Sequence, residues 1–152
     1  MLNLRALIVD DSAIVRTQLR NEIREIAPDC HVFESASVLE AGRFLLRSVP
    51  DVLFLDLNMP NINGIELLKR FDAVLEGRRP PIVVSISTDM RPATLEALKA
   101  RGAYALLPKP FDEAYSILKS MAGTKIDPDL VRVFEKVVDE CAGGHWAVAS
   151  AA

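Results

Sequence analysis

The amino-acid sequence predicts an α/β fold, a doubly wound, five-stranded parallel sheet of order 2-1-3-4-5 with an additional C-terminal helix. Short apolar runs alternate with segments whose apolar residues recur at helical spacing, which is typical of parallel strands joined by right-handed crossover helices. Two of the runs, 4–9 and 52–55, are apolar almost throughout, as strands buried on both faces are. We therefore expect these two strands at the centre of the sheet.

The first half of the chain predicts two strand–helix pairs. After the first strand, Ser12 caps a helix that ends at Pro28. Residues 31–35 are a short and mixed run, which is typical of an edge strand. Ser37 caps a second helix, and Pro50 marks its end.

The second half continues the same alternation up to Gly123, where a glycine signals the end of a helix. We predict strands at 52–55, 82–86 and 104–107 and helices at 67–75, 92–102 and 112–123. Five strand–helix units in one chain predict the sheet described above.

The chain divides into a domain over 1–123, an amphipathic helix over 124–142 and a flexible tail over 143–152. Asp127 followed by Pro128 is a helix start signal, and apolar residues follow at helical spacing. We expect this last helix to pack on its own domain.

Composition excludes several classes of protein. Of the 152 residues, 50% are hydrophobic and 26% are charged, which excludes a disordered or collagen-like chain. The net charge of −3 predicts no binding to nucleic acid, and the apolar start is too short to span a membrane. Cys30 and Cys141 have no metal-binding spacing, which favours a reducing, cytoplasmic location.

Polar side chains end four of the predicted strands. Asp10 and Asp11 follow strand one, Asp56 follows strand three, Ser87 ends strand four, and Lys109 follows strand five. The carboxyl ends of parallel strands share one edge, and ligands bind where the strand order reverses, here between strands one and three. We therefore expect the three aspartates to face one another.

Such a cluster needs positive charge nearby. Two carboxylates about 4 Å apart repel by roughly 4 kcal/mol at an effective dielectric constant of about 20. Lys109 offsets one charge, and the oxygen-only donor set favours Mg²⁺, or Mn²⁺, over zinc. A carboxylate beside a metal, a lysine and a hydroxyl can act as the nucleophile that accepts a phosphoryl group.

Four sequence motifs occur in order at these strand ends. They are Asp10-Asp11-Ser12, Asp56-x-x-Met59-Pro60-x-x-x-Gly64, Ser87, and Lys109-Pro110-Phe111. Together they resemble the receiver domains of response regulators in two-component signalling, whose fold is CheY-like and flavodoxin-like. The similarity covers about residues 3–122. Each motif alone has an ordinary explanation, such as a helix cap for the first, but their joint occurrence favours the family.

The resemblance implies a phosphoacceptor and a metal site. Asp56 would accept a phosphoryl group from the phosphohistidine of a sensor histidine kinase or a phosphotransfer protein. Asp11 and Asp56 would bind Mg²⁺ directly, together with the backbone carbonyl of Asn58, and Asp10 would act mostly through water.

The resemblance also implies roles around the phosphoryl group. Lys109 would bind a phosphoryl oxygen next to a cis peptide bond with Pro110, and Ser87 would turn towards the same group. Asn58 and Asp89 hold the positions that tune hydrolysis, which predicts fairly quick self-dephosphorylation.

Two residues depart from the family pattern. Thr88, at a catalytic-loop position where the family often has alanine, would crowd access to the phosphoryl group, and Leu106 replaces the aromatic switch residue. The expected output face comprises the helix over 92–102, the last strand and the helix over 112–123. The 124–142 helix could instead cover this face or form a homodimer.

Three functional hypotheses follow. The first is a signalling switch that is not an enzyme beyond its own phosphoryl transfer, with an output protein that the sequence does not identify. The run 10–16 is similar to chemotaxis-type receivers. The second is an aspartyl-phosphate phosphohydrolase, although the haloacid-dehalogenase type has a second aspartate where Asn58 stands. The third is a receiver that acts without phosphate.

Overall fold

The structure is a computed structural model, and it describes residues 4–59, 64–87, 91–101 and 105–108. The strands are Arg5–Val9 (β1), His31–Ser35 (β2), Val52–Asp56 (β3), Ile82–Ser87 (β4) and Ala105–Pro108 (β5). The helices are Ala13–Ile26 (α1), Val38–Arg47 (α2), Gly64–Lys69 (α3), Phe71–Leu75 (α4) and Pro92–Ala100 (α5).

The five strands form one parallel sheet of order β2-β1-β3-β4-β5, which confirms the predicted topology. Val9 pairs with Leu55, and Asp56 pairs with Ile86, so β1, β3 and β4 end at the same edge. Every residue of β3 is buried, whereas most of β2 is at least partly exposed at the outer edge. The apolar runs therefore identified the central strands.

Both faces of the sheet are covered, because alternate residues of one strand enter different core clusters. Ile8 packs in a cluster with Ile23 of α1 on one face. Leu7 packs in a second cluster with Leu45 of α2 and Leu67 of α3 on the opposite face. The central strands are apolar over most of their length because neither face meets water.

Serine side chains start the first two helices, as predicted. The Ser12 hydroxyl accepts a hydrogen bond from the Val15 amide at 3.3 Å, and the Ser37 hydroxyl accepts one from the Glu40 amide at 3.1 Å. These bonds satisfy amides that have no partner within the helix. α1 and α2 both end shortly before the prolines that the sequence predicts as their stops.

The single helix predicted over 67–75 is wrong, because the chain forms two short helices, α3 and α4, that are separated by Arg70. The Arg70 backbone has φ −100° and ψ 4°, and its amide donates to the Leu67 carbonyl three residues back. This tighter turn preserves the apolar spacing, so Leu68 and Leu75 both stay buried. The periodicity indicated the buried face but not the break.

Several predicted segments lie outside the described residues, namely the helix over 112–123, the amphipathic helix over 124–142 and the tail over 143–152. The packing or dimerisation of the 124–142 helix and the division of the chain at 123 therefore stay predictions. Among the helices that are described, none combines the length and the apolar character that a membrane span requires.

Cys30 makes the stability of this fold depend on pH. Burial raises the pKa of the Cys30 thiol from 9.0 to about 11, and the negative charge of Asp51 adds to the rise. The folded protein holds the thiol proton more tightly than the unfolded chain, so this contribution is complete below pH 9.0 and is lost as the pH rises through about 11. In urea titrations across this range, we expect Cys30 to account for a loss of about 2 kcal/mol in the free energy of unfolding.

The control for this prediction is Cys30→Ala, which removes the thiol and also lowers the overall stability. The comparison therefore uses the change with pH rather than the absolute value. Equal pH dependence in the two proteins would contradict the assignment to Cys30.

Candidate functional site

Three carboxylates meet at the carboxyl edge of the sheet, where β1 and β3 end. Asp10 follows β1 and Asp56 ends β3, and neither has exposed surface, whereas Asp11 is exposed. One carboxylate oxygen of each residue lies within 4.8 Å of the other two. The structure thus brings together the three aspartates at the point where the strand order reverses.

Backbone amides hold the two buried carboxylates in place. The Ser12 amide donates to Asp10 Oδ1 at 2.8 Å, and the Asn58 amide donates to Asp56 Oδ1 at 3.0 Å. In both cases an aspartate accepts a bond from the amide two residues later, which turns the chain sharply out of the strand. The same local bond therefore orients a carboxylate at the end of each central strand.

Ser87 and Asn58 connect the ends of two neighbouring strands. Ser87 ends β4 without exposed surface, and its hydroxyl accepts a hydrogen bond from Asn58 Nδ2 at 3.2 Å. The Leu57 amide also donates to the Ile86 carbonyl at 3.1 Å. The sequence indicated Ser87 and Asn58 separately, but residues so far apart in the chain carry no spacing signal for this contact.

Gly64 lets α3 approach the backbone of the central strand. A Cβ atom at this position would lie 2.5 Å from the Asp56 carbonyl oxygen and 2.9 Å from Leu55 Cγ. Both distances are too short for a side chain unless the helix moves. The glycine of the second motif therefore has a packing reason, which is to seat α3 directly behind Asp56.

The other predicted site residues, Thr88, Asp89 and Lys109, lie outside the described residues, as does the expected cis peptide bond before Pro110. Their roles stay predictions.

The donors in the cluster fit a hard divalent cation. All are carboxylate oxygens, two of the three residues are fully buried, and no imidazole or thiol belongs to the group. Buried carboxylates need a compensating charge or a metal, and oxygen donors are those that Mg²⁺ and Mn²⁺ prefer. The residues present therefore suit the ion that the motifs predict.

Comparison with known families identifies the chain. Residues 6–120 match the family model of the response regulator receiver domain. The chain belongs to this family. The match confirms the resemblance inferred from the motifs, and the described sheet has the topology that the family implies.

Related proteins extend well beyond the receiver domain. The domain is 38% identical over 122 residues to protein-glutamate methylesterase/protein-glutamine glutaminase 3 of Rhodopseudomonas palustris, covering 78% of this chain and 32% of that protein. It is 34% identical to the cyclic di-GMP phosphodiesterase response regulator RpfG of Xanthomonas campestris, covering 72% and 29%. The chain spans about a third of the length of these curated relatives.

Two solved structures have the same fold. The receiver domain is similar to the response regulator domain of Thermotoga maritima CheB, with a TM-score of 0.66, 30% identity and coverage of 91% and 96% of the two chains. It is also similar to the Vibrio cholerae chemotaxis protein CheY4, with a TM-score of 0.62, 26% identity and coverage of 80% and 98%.

Substitutions of two glycines should change the stability in opposite directions, because only one of them lies against neighbouring backbone. We expect Gly64→Ala to lower the free energy of unfolding by about 1–3 kcal/mol, because the new methyl group collides with the Asp56 backbone. Gly42 lies within α2, and apart from its own helix backbone and chain neighbours no atom of the described residues lies within 4 Å of the position that a methyl group would take there, so Gly42→Ala raises the free energy of unfolding by up to about 1 kcal/mol. Urea denaturation measures both, and a stabilising Gly64→Ala would contradict the packing role.

Proposed function

We propose that this receiver domain is a phosphorylation-dependent switch, and that Asp56 accepts the phosphoryl group from a histidine kinase or a phosphotransfer protein. The observation that carries the proposal is the group of three carboxylates, with Asp56 fully buried at the end of a central strand. The turn at the end of β3 explains one carboxylate oxygen of Asp56, but it does not explain why two further carboxylates lie beside it, whereas the group suits a nucleophile next to a metal.

The proposed reaction moves one phosphoryl group between two side chains. A carboxylate oxygen of Asp56 attacks phosphorus, the P–N bond to the donor imidazole breaks, and an acyl phosphate forms as the imidazole leaves. Asp10, Asp11, Asp56 and the Asn58 carbonyl would hold Mg²⁺, which when bound supplies positive charge to the transferring group. The Asn58 amide keeps the Asp56 carboxylate oriented during the attack. We assign Lys109 to a phosphoryl oxygen by its motif.

The contact between Asn58 and Ser87 suggests how the switch responds. Phosphorylation raises the negative charge on Asp56 to about −2 and adds strong hydrogen-bond acceptors. Ser87 then donates its hydroxyl proton to a phosphoryl oxygen, and movement of Ser87 towards that group strains the hydrogen bond that it accepts from Asn58. Since Ser87 ends β4, the change reaches the segment that leads into α5. Output then passes to a protein partner through α5, β5 and the helix predicted over 112–123.

The pathway that we favour is of the chemotaxis type. The relatives include a chemotaxis protein and several protein-glutamate methylesterases, which supports this assignment. The matched segment covers only 32% of the first of those enzymes. We therefore do not extend their catalytic activity to this chain. We keep the cytoplasm as the expected location, since the proposed donor is a cytoplasmic phosphohistidine.

The Asn58 side chain also weighs against the phosphohydrolase hypothesis. A phosphatase of that type needs a carboxylic acid two residues after its nucleophile as a proton donor and acceptor. An amide cannot exchange a proton in this way, and here it bonds to Ser87. The arrangement therefore favours a single phosphorylation over repeated turnover.

Mass spectrometry tests the phosphoacceptor. We expect the protein to gain one phosphoryl group on incubation with acetyl phosphate and Mg²⁺, and to gain none without the metal ion. Asp56→Asn should abolish the gain, because an amide does not act as a nucleophile towards phosphorus. Asp72→Asn changes an exposed position in α4 and should leave the gain intact.

Three outcomes would overturn parts of the proposal. Equal labelling of Asp56→Asn would move the acceptor elsewhere. A folded protein that binds Mg²⁺ but gains no phosphoryl group would support the phosphate-independent receiver. Repeated hydrolysis of a phosphomonoester would support the phosphohydrolase.

The lifetime of the phosphorylated protein tests the role of Asn58. We expect self-dephosphorylation within minutes, and we expect Asn58→Leu to slow it about tenfold, because leucine cannot orient an attacking water. Loss of phosphoprotein over time, followed by mass spectrometry, gives both rates. Persistence of the wild-type phosphoprotein for many hours would contradict the prediction.

A further inference from the structure

Arg16 of α1 reaches back to the end of β1 and contacts the backbone of the acidic cluster. Its Nη1 atom donates to the Asp10 carbonyl oxygen at 2.7 Å. That carbonyl belongs to the peptide unit that links Asp10 to Asp11. A guanidinium group therefore fixes the plane of the peptide between two of the three clustered aspartates.

The orientation of this peptide decides where the two carboxylates point. In an extended strand, successive side chains point to opposite faces, so Asp10 and Asp11 would diverge if β1 continued. Their carboxylate oxygens nevertheless lie within 4.8 Å of each other and of Asp56. The chain must therefore turn at this peptide, and the turn must be held.

Asp10 is held at three different atoms. Its amide donates to the Ser35 carbonyl at 3.2 Å, its Oδ1 accepts from the Ser12 amide at 2.8 Å, and its carbonyl accepts from Arg16. The first two bonds restrain Asp10 itself. The bond from Arg16 is made to the carbonyl side of the peptide, and it therefore restrains the direction in which Asp11 leaves.

Arg16 is itself fixed by an acidic side chain of the edge strand. Its Nε donates to Glu34 Oε1 at 3.2 Å, and Arg20 Nη1 donates to Glu34 Oε2 at 2.6 Å. The Arg16 side chain is only 17% exposed. The ion pair between Arg16 and Glu34 is therefore held more firmly than a typical ion pair on the surface. Glu34 also offsets part of the positive charge next to the cluster.

We propose that Arg16 is a positioning residue for the metal site, because it fixes the Asp10–Asp11 peptide so that both carboxylates face Asp56. The inference rests on the proposed function, since it concerns Mg²⁺ binding by that same cluster. Arg16 is six residues from Asp10 and carries a positive charge, so neither its position in the sequence nor its charge indicates a role in binding a cation.

The charge of Arg16 has the opposite effect, and this separates the two explanations. A positive charge near a site opposes the binding of a cation, so loss of the charge alone would tighten Mg²⁺ binding. Loss of positioning weakens it, because groups that orient metal ligands typically contribute about 10–100-fold in affinity. The direction of the change in Kd therefore identifies the role.

The experiment measures Mg²⁺ affinity by isothermal titration calorimetry in the absence of any phosphodonor, with the full chain. We expect Arg16→Met, which keeps the length of the side chain, to raise the Kd for Mg²⁺ about tenfold. Arg20→Met is the matched control, because it removes the same charge and the same Glu34 partner, and Arg20 has no described hydrogen bond to Asp10 or Asp11. Its Kd should stay within about twofold of the wild-type value or decrease.

Denaturation without metal separates positioning from loss of folding. Both variants should stay folded without denaturant, where the affinity is measured, although Arg16→Met loses its bond to the Asp10 carbonyl as well as its bond to Glu34 and should therefore have the lower midpoint in urea. An unchanged or lower Kd in Arg16→Met overturns the inference, and so does an equal increase in both variants. Absence of Mg²⁺ binding by the wild-type protein would instead overturn the proposed metal site itself.

Discussion

The site depends on one electrostatic constraint, the repulsion among three carboxylates that the sheet brings to one edge. Parallel strands that end in aspartate cannot avoid this convergence when they are neighbours, as β1 and β3 are. Burial makes the repulsion more costly because water no longer screens it. Fixed dipoles therefore have to offset part of this repulsion, and the backbone amides that donate to Asp10 and Asp56 supply them.

The packing of the sheet fixes the positions of the carboxylates and of the amides that donate to them. Asp10 and Asp56 extend from strands whose residues are buried on both faces, so their backbones have little freedom to relax the repulsion. Gly64 brings α3 against the Asp56 carbonyl, which closes another direction of movement. The rigidity that raises the electrostatic cost is also what keeps the donor atoms at fixed positions for a ligand.

The sequence predicted the parts of this structure that depend on local chemistry and periodicity. Apolar runs indicated the two central strands, and serine side chains indicated the starts of α1 and α2, because each signal lies within or next to the element that it specifies. The break at Arg70 escaped because a tight turn preserves the apolar spacing on which the prediction relied. The contacts Asn58–Ser87 and Arg16–Asp10 escaped for a different reason, since they depend on how the ends of separate elements meet in space.

The contacts around the cluster are of two kinds. Those to Asp10 fix its position, whereas the contact between Asn58 and Ser87 can respond to a change on Asp56. The groups that restrain Asp10 are charged or belong to the backbone, and moving them would expose an unpaired charge or a buried amide. The contact between Asn58 and Ser87 joins a neutral amide to a neutral hydroxyl, and the hydroxyl proton can reorient towards a new acceptor without exposing a charge. A change of charge on Asp56 would therefore act first on the neutral pair. The metal-binding side of the site would stay fixed while the side next to β4 moves, which is the asymmetry that a switch needs.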